Sequence, residues 1–133
     1  MIVTDASVLA VALGDDGPDG DLVRERLKGE KLAAPEIIDL EVVSVWRRQL
    51  MLKKMNLRRA TMAMTDLKEI PIYRSPHKPL LRRCLELQNN ISVYDASYVA
   101  LAEILDSILL TADVKLTQSY GPKCNFDLIR SGQ

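Results

Sequence analysis

Short apolar runs alternate with stretches of helical period along this chain, and that alternation limits what it can fold into. Runs at residues 2–4, 31–34, 70–73, 107–110 and 126–129 read as strands, the last of them edge-like. Between them lie segments of helical character at 6–13, 21–28, 36–52, 57–68, 76–87, 95–105 and 112–119. Pro35 is expected near the first helical position of the segment that follows it. Strands joined through helices predict an α/β/α sandwich around a mainly parallel central sheet. At 133 residues the chain suits one domain, residues 1–133, with a core of useful size. The N-terminus has no basic start or apolar h-region, and no apolar run reaches the ~20 residues of a membrane span. Cys84 and Cys124 suggest neither a disulfide framework nor a metal spacing, so a soluble, cytoplasmic protein is expected.

Within this frame four acids are out of place. V-T-D-A-S-V-L-A from Val3 and V-Y-D-A-S-Y-V-A from Val93 each set an aspartate, Asp5 or Asp95, inside an apolar stretch. Either aspartate also suits a helix N-cap, a role for which Ser7 and Thr111 are lesser candidates. Glu41 is surrounded in helical projection by Ile37, Ile38, Leu40, Val42, Val43, Val45 and Trp46. Apolar residues on every side predict a buried helix, and no basic residue stands three or four positions from Glu41 to pair with it. Asp113 follows the fourth strand, and in open α/β sheets sites form beyond the carboxyl ends of strands. Singly, each acid is explained by a cap, a distant arginine or a solvated helix edge. Together, four carboxylates without imidazole or thiolate suit a hard divalent ion, Mg²⁺ or Mn²⁺. Without an ion their repulsion raises their pKa values and opposes folding. The Asp/Gly-rich loop at residues 14–20 fails as a calcium loop, because Gly17 and Arg26 stand where oxygen ligands are required.

The net charge of zero conceals a division. Residues 1–41 hold ten acids and four bases, whereas 42–65 hold Arg47, Arg48, Lys53, Lys54, Arg58 and Arg59 with no acid. Such a block either faces an anionic polymer or is ordinary solvated helix surface. For RNA, Arg48 is the first candidate, since it shares Glu41's side of the helix, with Lys53 and Lys54 next. An acidic site beside a basic segment is the combination that phosphodiester cleavage needs.

The stretches I-V-T-D-A-S-V-L, P-E-I-I-D-L-E-V-V-S-V-W-R-R, Y-D-A-S-Y-V-A-L-A-E and L-L-T-A-D-V-K-L, in this order, resemble the successive motifs of the PIN-domain nucleases. In particular the chain resembles the small single-domain VapC toxins of bacterial toxin–antitoxin pairs, from Ile2 to about Lys115. The resemblance implies a metal-dependent endoribonuclease with Asp5, Glu41, Asp95 and Asp113 around Mg²⁺ or Mn²⁺, and Ser7 and Thr111 as hydroxyls that orient the acids. It further implies a homodimer, an RNA substrate and inhibition by a VapB-type antitoxin. Rival readings are an RNA-processing nuclease of the same fold outside a toxin–antitoxin pair, and a non-catalytic module that only binds RNA or a partner. A phosphorylated receiver domain is excluded, because residues 50–75 offer no strand-end aspartate, only Asp66 within a helix. His77, between Pro76 and Pro79, reads as surface. Trp46, Leu50, Met51, Leu52, Met55 and Leu57 fit a dimer face, an antitoxin groove or plain core equally. Tyr94 and Tyr98 read as helix packing before base stacking.

Overall fold

Residues 1–130 are described by a computed structural model. Five strands, β1 (Ile2–Thr4), β2 (Leu32–Pro35), β3 (Ile72–Ser75), β4 (Leu109–Thr111) and β5 (Phe126–Leu128), form one sheet in the order β3-β2-β1-β4-β5. Among the described residues every pairing is parallel, so the sheet is parallel throughout rather than mainly so. The connections hold α1 (Ala6–Gly14), α2 (Pro18–Leu27), α3 (Ile38–Met51), α4 (Leu57–Glu69), α5 (Leu81–Glu86), α6 (Val93–Ile104) and α7 (Val114–Thr117). A short 3-10 turn, Lys78–Leu80, leads into α5.

Both sheet faces are covered, as a parallel sheet requires. Successive strand residues point to opposite faces. Val3, Ala33 and Leu109 therefore join a cluster with Ile38, Val42 and Trp46 of α3 and Tyr98 and Val99 of α6. Ile2, Leu32 and Leu110 pack instead with Val8 and Ala12 of α1 and Val23 of α2. No helix among the described residues is long and apolar enough to cross a membrane.

Two local expectations differ from the structure. Pro35 ends β2, paired with Ser75, and α3 begins only at Ile38. The Glu36 amide donates to the Ser75 carbonyl, so the N–H that Pro35 lacks would face β1, which has already ended. Helix α3 is buried along one stripe, Ile38, Val42 and Trp46, while Leu40 and Val43 are exposed. An i, i+4 ridge is all that one sheet face can cover. Likewise Leu80, Cys84 and Leu87 turn inward from residues 76–87, and Leu81 and Leu85 face out.

The loop after α1 packs hard against α2. A Cβ added at Gly20 would lie 1.9 Å from the Asp15 carbonyl oxygen, which is backbone and has little room to yield. Overpacking of this kind costs about 1–3 kcal/mol or more. Gly20→Ala should lower the urea midpoint accordingly, without a change in the slope of the transition; an unchanged midpoint would show that the loop relaxes freely.

Candidate active site

Strands β2 and β3 lie to one side of β1, and β4 and β5 to the other. The order of the sheet therefore reverses between β1 and β4, where the connections part and leave a crevice beyond the strands' carboxyl ends. Asp5 leaves β1 at this point. Its amide donates to the Leu110 carbonyl of β4 (3.1 Å), and its Oδ1 accepts the Val8 amide (3.0 Å), capping α1. Thr111 ends β4 and donates its hydroxyl to Asp5 Oδ2 (2.5 Å) while accepting the Asp113 amide (3.1 Å). Asp113, not Thr111, caps α7, its Oδ1 accepting the amides of Lys115 and Leu116 at 3.0 and 3.3 Å. Capping and convergence are thus compatible, because a cap engages one carboxylate oxygen only; at Asp5 the other accepts the Thr111 hydroxyl.

Asp95 is not a cap. Ser92 caps α6, its Oγ accepting the Asp95 amide at 3.1 Å, and Asp95 sits in the helix's first turn. Glu41, on the first turn of α3, accepts a 2.6 Å hydrogen bond from the hydroxyl of Tyr98. Tyr98 is 2% exposed and lies three residues after Asp95, so both point from the same side of α6. Sequence reasoning gave Tyr98 no polar role, although that i, i+3 spacing was a usable signal. Ser7 has an exposed side chain and hydrogen-bonds to none of the acids among the described residues.

The electrostatics link Asp5, Asp95 and Asp113. Asp5 is pushed up to about 6, first by burial and further by Asp95 and Asp113, against the opposing hydrogen bonds from Thr111 and Val8. Asp95 is raised by burial and then by Asp113. The Tyr98 phenol is pushed far above its ordinary range by burial, by its bond to Glu41, and by the charges of Glu41, Asp5 and Asp95. Among the described residues no Lys, Arg or His side chain pairs with Asp5, Glu41, Asp95 or Asp113. Nor do any three acidic, His or Cys residues there already stand close enough to enclose a metal ion. The donor set itself, all hard oxygen and short of positive charge, fits a divalent ion of the Mg²⁺ or Mn²⁺ kind.

The basic segment does not gather around the acids. Arg48 is exposed, seven residues beyond Glu41 and roughly 10 Å along the helix axis. Lys53 and Lys54 lie past the end of α3, whose last residue, Met51, is roughly 15 Å along the axis from Glu41. There they border a groove of about 740 Å³ between α1, α3 and α4, floored by Trp46, Leu50 and Met55. Arg59 is occupied elsewhere: it pairs with Asp16 at 2.9 Å and donates to the Leu13 carbonyl at the end of α1.

Comparison with known proteins places the chain in a family. The PIN domain profile matches residues 2–121. Ribonuclease VapC12 of Mycobacterium tuberculosis is 36% identical over 129 residues, covering 97% of this chain and 99% of its own length. The VapC ribonuclease Mb0985 of Mycobacterium bovis is 34% identical over 129 residues, covering 97% and 98%. Among solved structures, M. tuberculosis VapC20, described as a sarcin-ricin loop cleaving toxin, superposes with a TM-score of 0.70 at 12% identity over 89% of this chain and 94% of its own. PAE2754 from Pyrobaculum aerophilum gives 0.63 at 23% identity, over 88% and 84%. These two likenesses concern the fold.

A carboxyl raised from 3.8 to about 6 binds more protons in the folded than in the unfolded state between those pH values. Its contribution to stability is therefore full below pH 3.8 and lost as pH rises through about 6, a difference on the order of 3 kcal/mol. Asn caps helices as well as Asp. Metal-free Asp5→Asn should therefore match or exceed the wild-type melting temperature at pH 7.5, with the difference closing towards pH 4. A clearly lower melting temperature at pH 7.5 would mean that Asp5 is a structural partner first.

Proposed function

Since the chain belongs to the PIN-domain family and, within it, to the VapC ribonucleases, we propose that it is a metal-dependent endoribonuclease toxin that cuts RNA phosphodiester bonds. Asp5, Glu41, Asp95 and Asp113 are its acidic site in this reading, and residues 1–133 are one PIN unit. One observation carries it: burial and neighbouring acids raise Asp5 and Asp95, Asp113 acting on both, and Tyr98 of α6 bonds to Glu41, with no basic side chain among the described residues paired to these acids. These four carboxylates would hold Mg²⁺ or Mn²⁺. Bound there, the ion supplies stabilisation of charge on a phosphoryl oxygen and a water of lowered pKa. Thr111 keeps Asp5 turned into the crevice, and the Ser92 cap holds the first turn of α6 that carries Asp95.

The same proposal includes RNA guided along α3 past Arg48, a VapB-type antitoxin, a homodimer, and action in the cytoplasm. The groove floored by Trp46, Leu50 and Met55 supports the docking of an antitoxin segment. Exposed Leu40, Val43, Leu81 and Leu85 support a further protein contact, which we read as the second subunit.

Purified protein should cleave single-stranded or looped RNA with Mg²⁺ or Mn²⁺, and lose that activity both in excess chelator and on Asp95→Asn. Cleavage that persists in chelator, with contaminating nuclease excluded, would sink the proposal. For the basic residues the readout is salt dependence. Removing one phosphate-binding side chain from a complex with single-stranded RNA lowers the slope of log affinity against log salt by ~0.7. Arg48→Ala should lower it by about one such step, and the triple variant Arg48→Ala, Lys53→Ala, Lys54→Ala by more, with metal binding intact. An unchanged slope would assign these residues to solvent or to a protein interface.

A further inference from the structure

We propose that Tyr98 is a positioning residue for the acidic site, holding Glu41 in register with Asp95. The inference rests on the acidic site proposed above and concerns a side chain that the four-acid reading leaves out. Three observations carry it. The Tyr98 hydroxyl donates to Glu41 Oε1 at 2.6 Å, across 57 residues of chain and from a different helix. Tyr98 itself is 2% exposed, its ring embedded in the cluster with Ile38, Val42, Val99 and Leu101, so the hydroxyl has a fixed origin. Asp95 stands one turn earlier on the same side of α6, so the bond ties Glu41 to the helix that presents Asp95.

The physical need is specific to glutamate. Asp5 and Asp113 are short side chains already pinned by helix-capping amides, and Asp5 also by Thr111. Glu41 has three rotatable bonds and is half-exposed. With no cation paired to it among the described residues, the Tyr98 hydroxyl is the group that opposes its swing towards solvent. A buried tyrosine hydroxyl requires a hydrogen-bond partner in any fold. Here that partner is a site carboxylate, and the geometry serves both ends.

Partners that orient metal-binding carboxylates typically change metal affinity or activity by roughly ten- to a hundredfold when removed. Tyr98→Phe keeps the ring and removes one oxygen. Titrated with Mn²⁺ in the absence of RNA, the variant should bind roughly tenfold more weakly than wild type. Its kcat should fall while KM for RNA stays within about twofold, a split that loosened core packing would not produce. A folded Tyr98→Phe protein with wild-type Mn²⁺ affinity and kcat would overturn the inference. If that variant does not fold, Glu41→Asp, one methylene too short to reach the hydroxyl, should show the same loss of Mn²⁺ affinity, and full affinity there would overturn it equally. Asp5→Asn, run alongside, separates this inference from the reading beneath it. If Asp5→Asn abolishes Mn²⁺ binding and Tyr98→Phe leaves it unchanged, only the role of Tyr98 falls; if Asp5→Asn binds Mn²⁺ like wild type, the acidic site falls and the role of Tyr98 with it.

Discussion

Thr111 donates its hydroxyl to Asp5 and accepts the amide of Asp113, so one side chain at the end of β4 orients two acids at once. Around it the Asp5 amide bonds to the Leu110 carbonyl, locking the end of β1 to its neighbour. This small circuit sits where the strand order reverses, the one place in a parallel sheet where a crevice opens without a loop to fill it. Thr111 is fully buried, so its hydroxyl must be satisfied within the protein. Asp95 is near enough for its charge to act on Asp5.

The four acids are held by three devices. Asp5 and Asp113 are helix caps, Asp95 occupies a first turn opened by Ser92, and Glu41 is reached by a phenol from another helix. The devices share one property: among the described residues the donors are amides and hydroxyls, not charged side chains. Neutral donors fix direction without supplying a counter-charge, and burial, followed by neighbouring acids, raises Asp5 and Asp95 in spite of them. An arginine in place of any of them would ease folding and would also occupy the ground a divalent ion needs. The conflict between stability and charge in this crevice is what a purely structural carboxylate would lack.

The basic block shows how tertiary packing divides residues that composition groups together. Arg59 ends up bonding to Asp16 and to the exposed carbonyl of Leu13, where a cation complements the negative end of α1. Arg24 serves the same helix end through the carbonyls of Ala12 and Asp15. Lys53 adopts a left-handed conformation (φ 57°) as the chain leaves α3, and it borders the groove at the far end from Glu41. Of the three candidates for RNA, Arg48 alone is within two turns of an acid.

Much of the architecture was legible in contiguous residues. Periodicity and turn chemistry are local, so the strands beginning at Ile2 and Phe126 and the helices beginning at Ala6 and Leu57 could be read where they occur. The acids were conspicuous for an equally local reason: a charge inside an apolar run breaks the pattern around it. What stayed illegible has a single cause as well. Whether Leu40 and Val43 are covered depends on how much of α3 a sheet face can reach, and Pro35 continues a strand because Ser75 lies beside it. Thr111 meets Asp5 across 106 residues and Tyr98 meets Glu41 across 57. The sequence alone marked out four carboxylates, set in apolar runs or at a strand's end. Only the tertiary structure decided which hydroxyls hold them and which cations lie elsewhere, because a hydrogen bond is set by distance in space, and residues far apart in the chain acquire that distance only on folding.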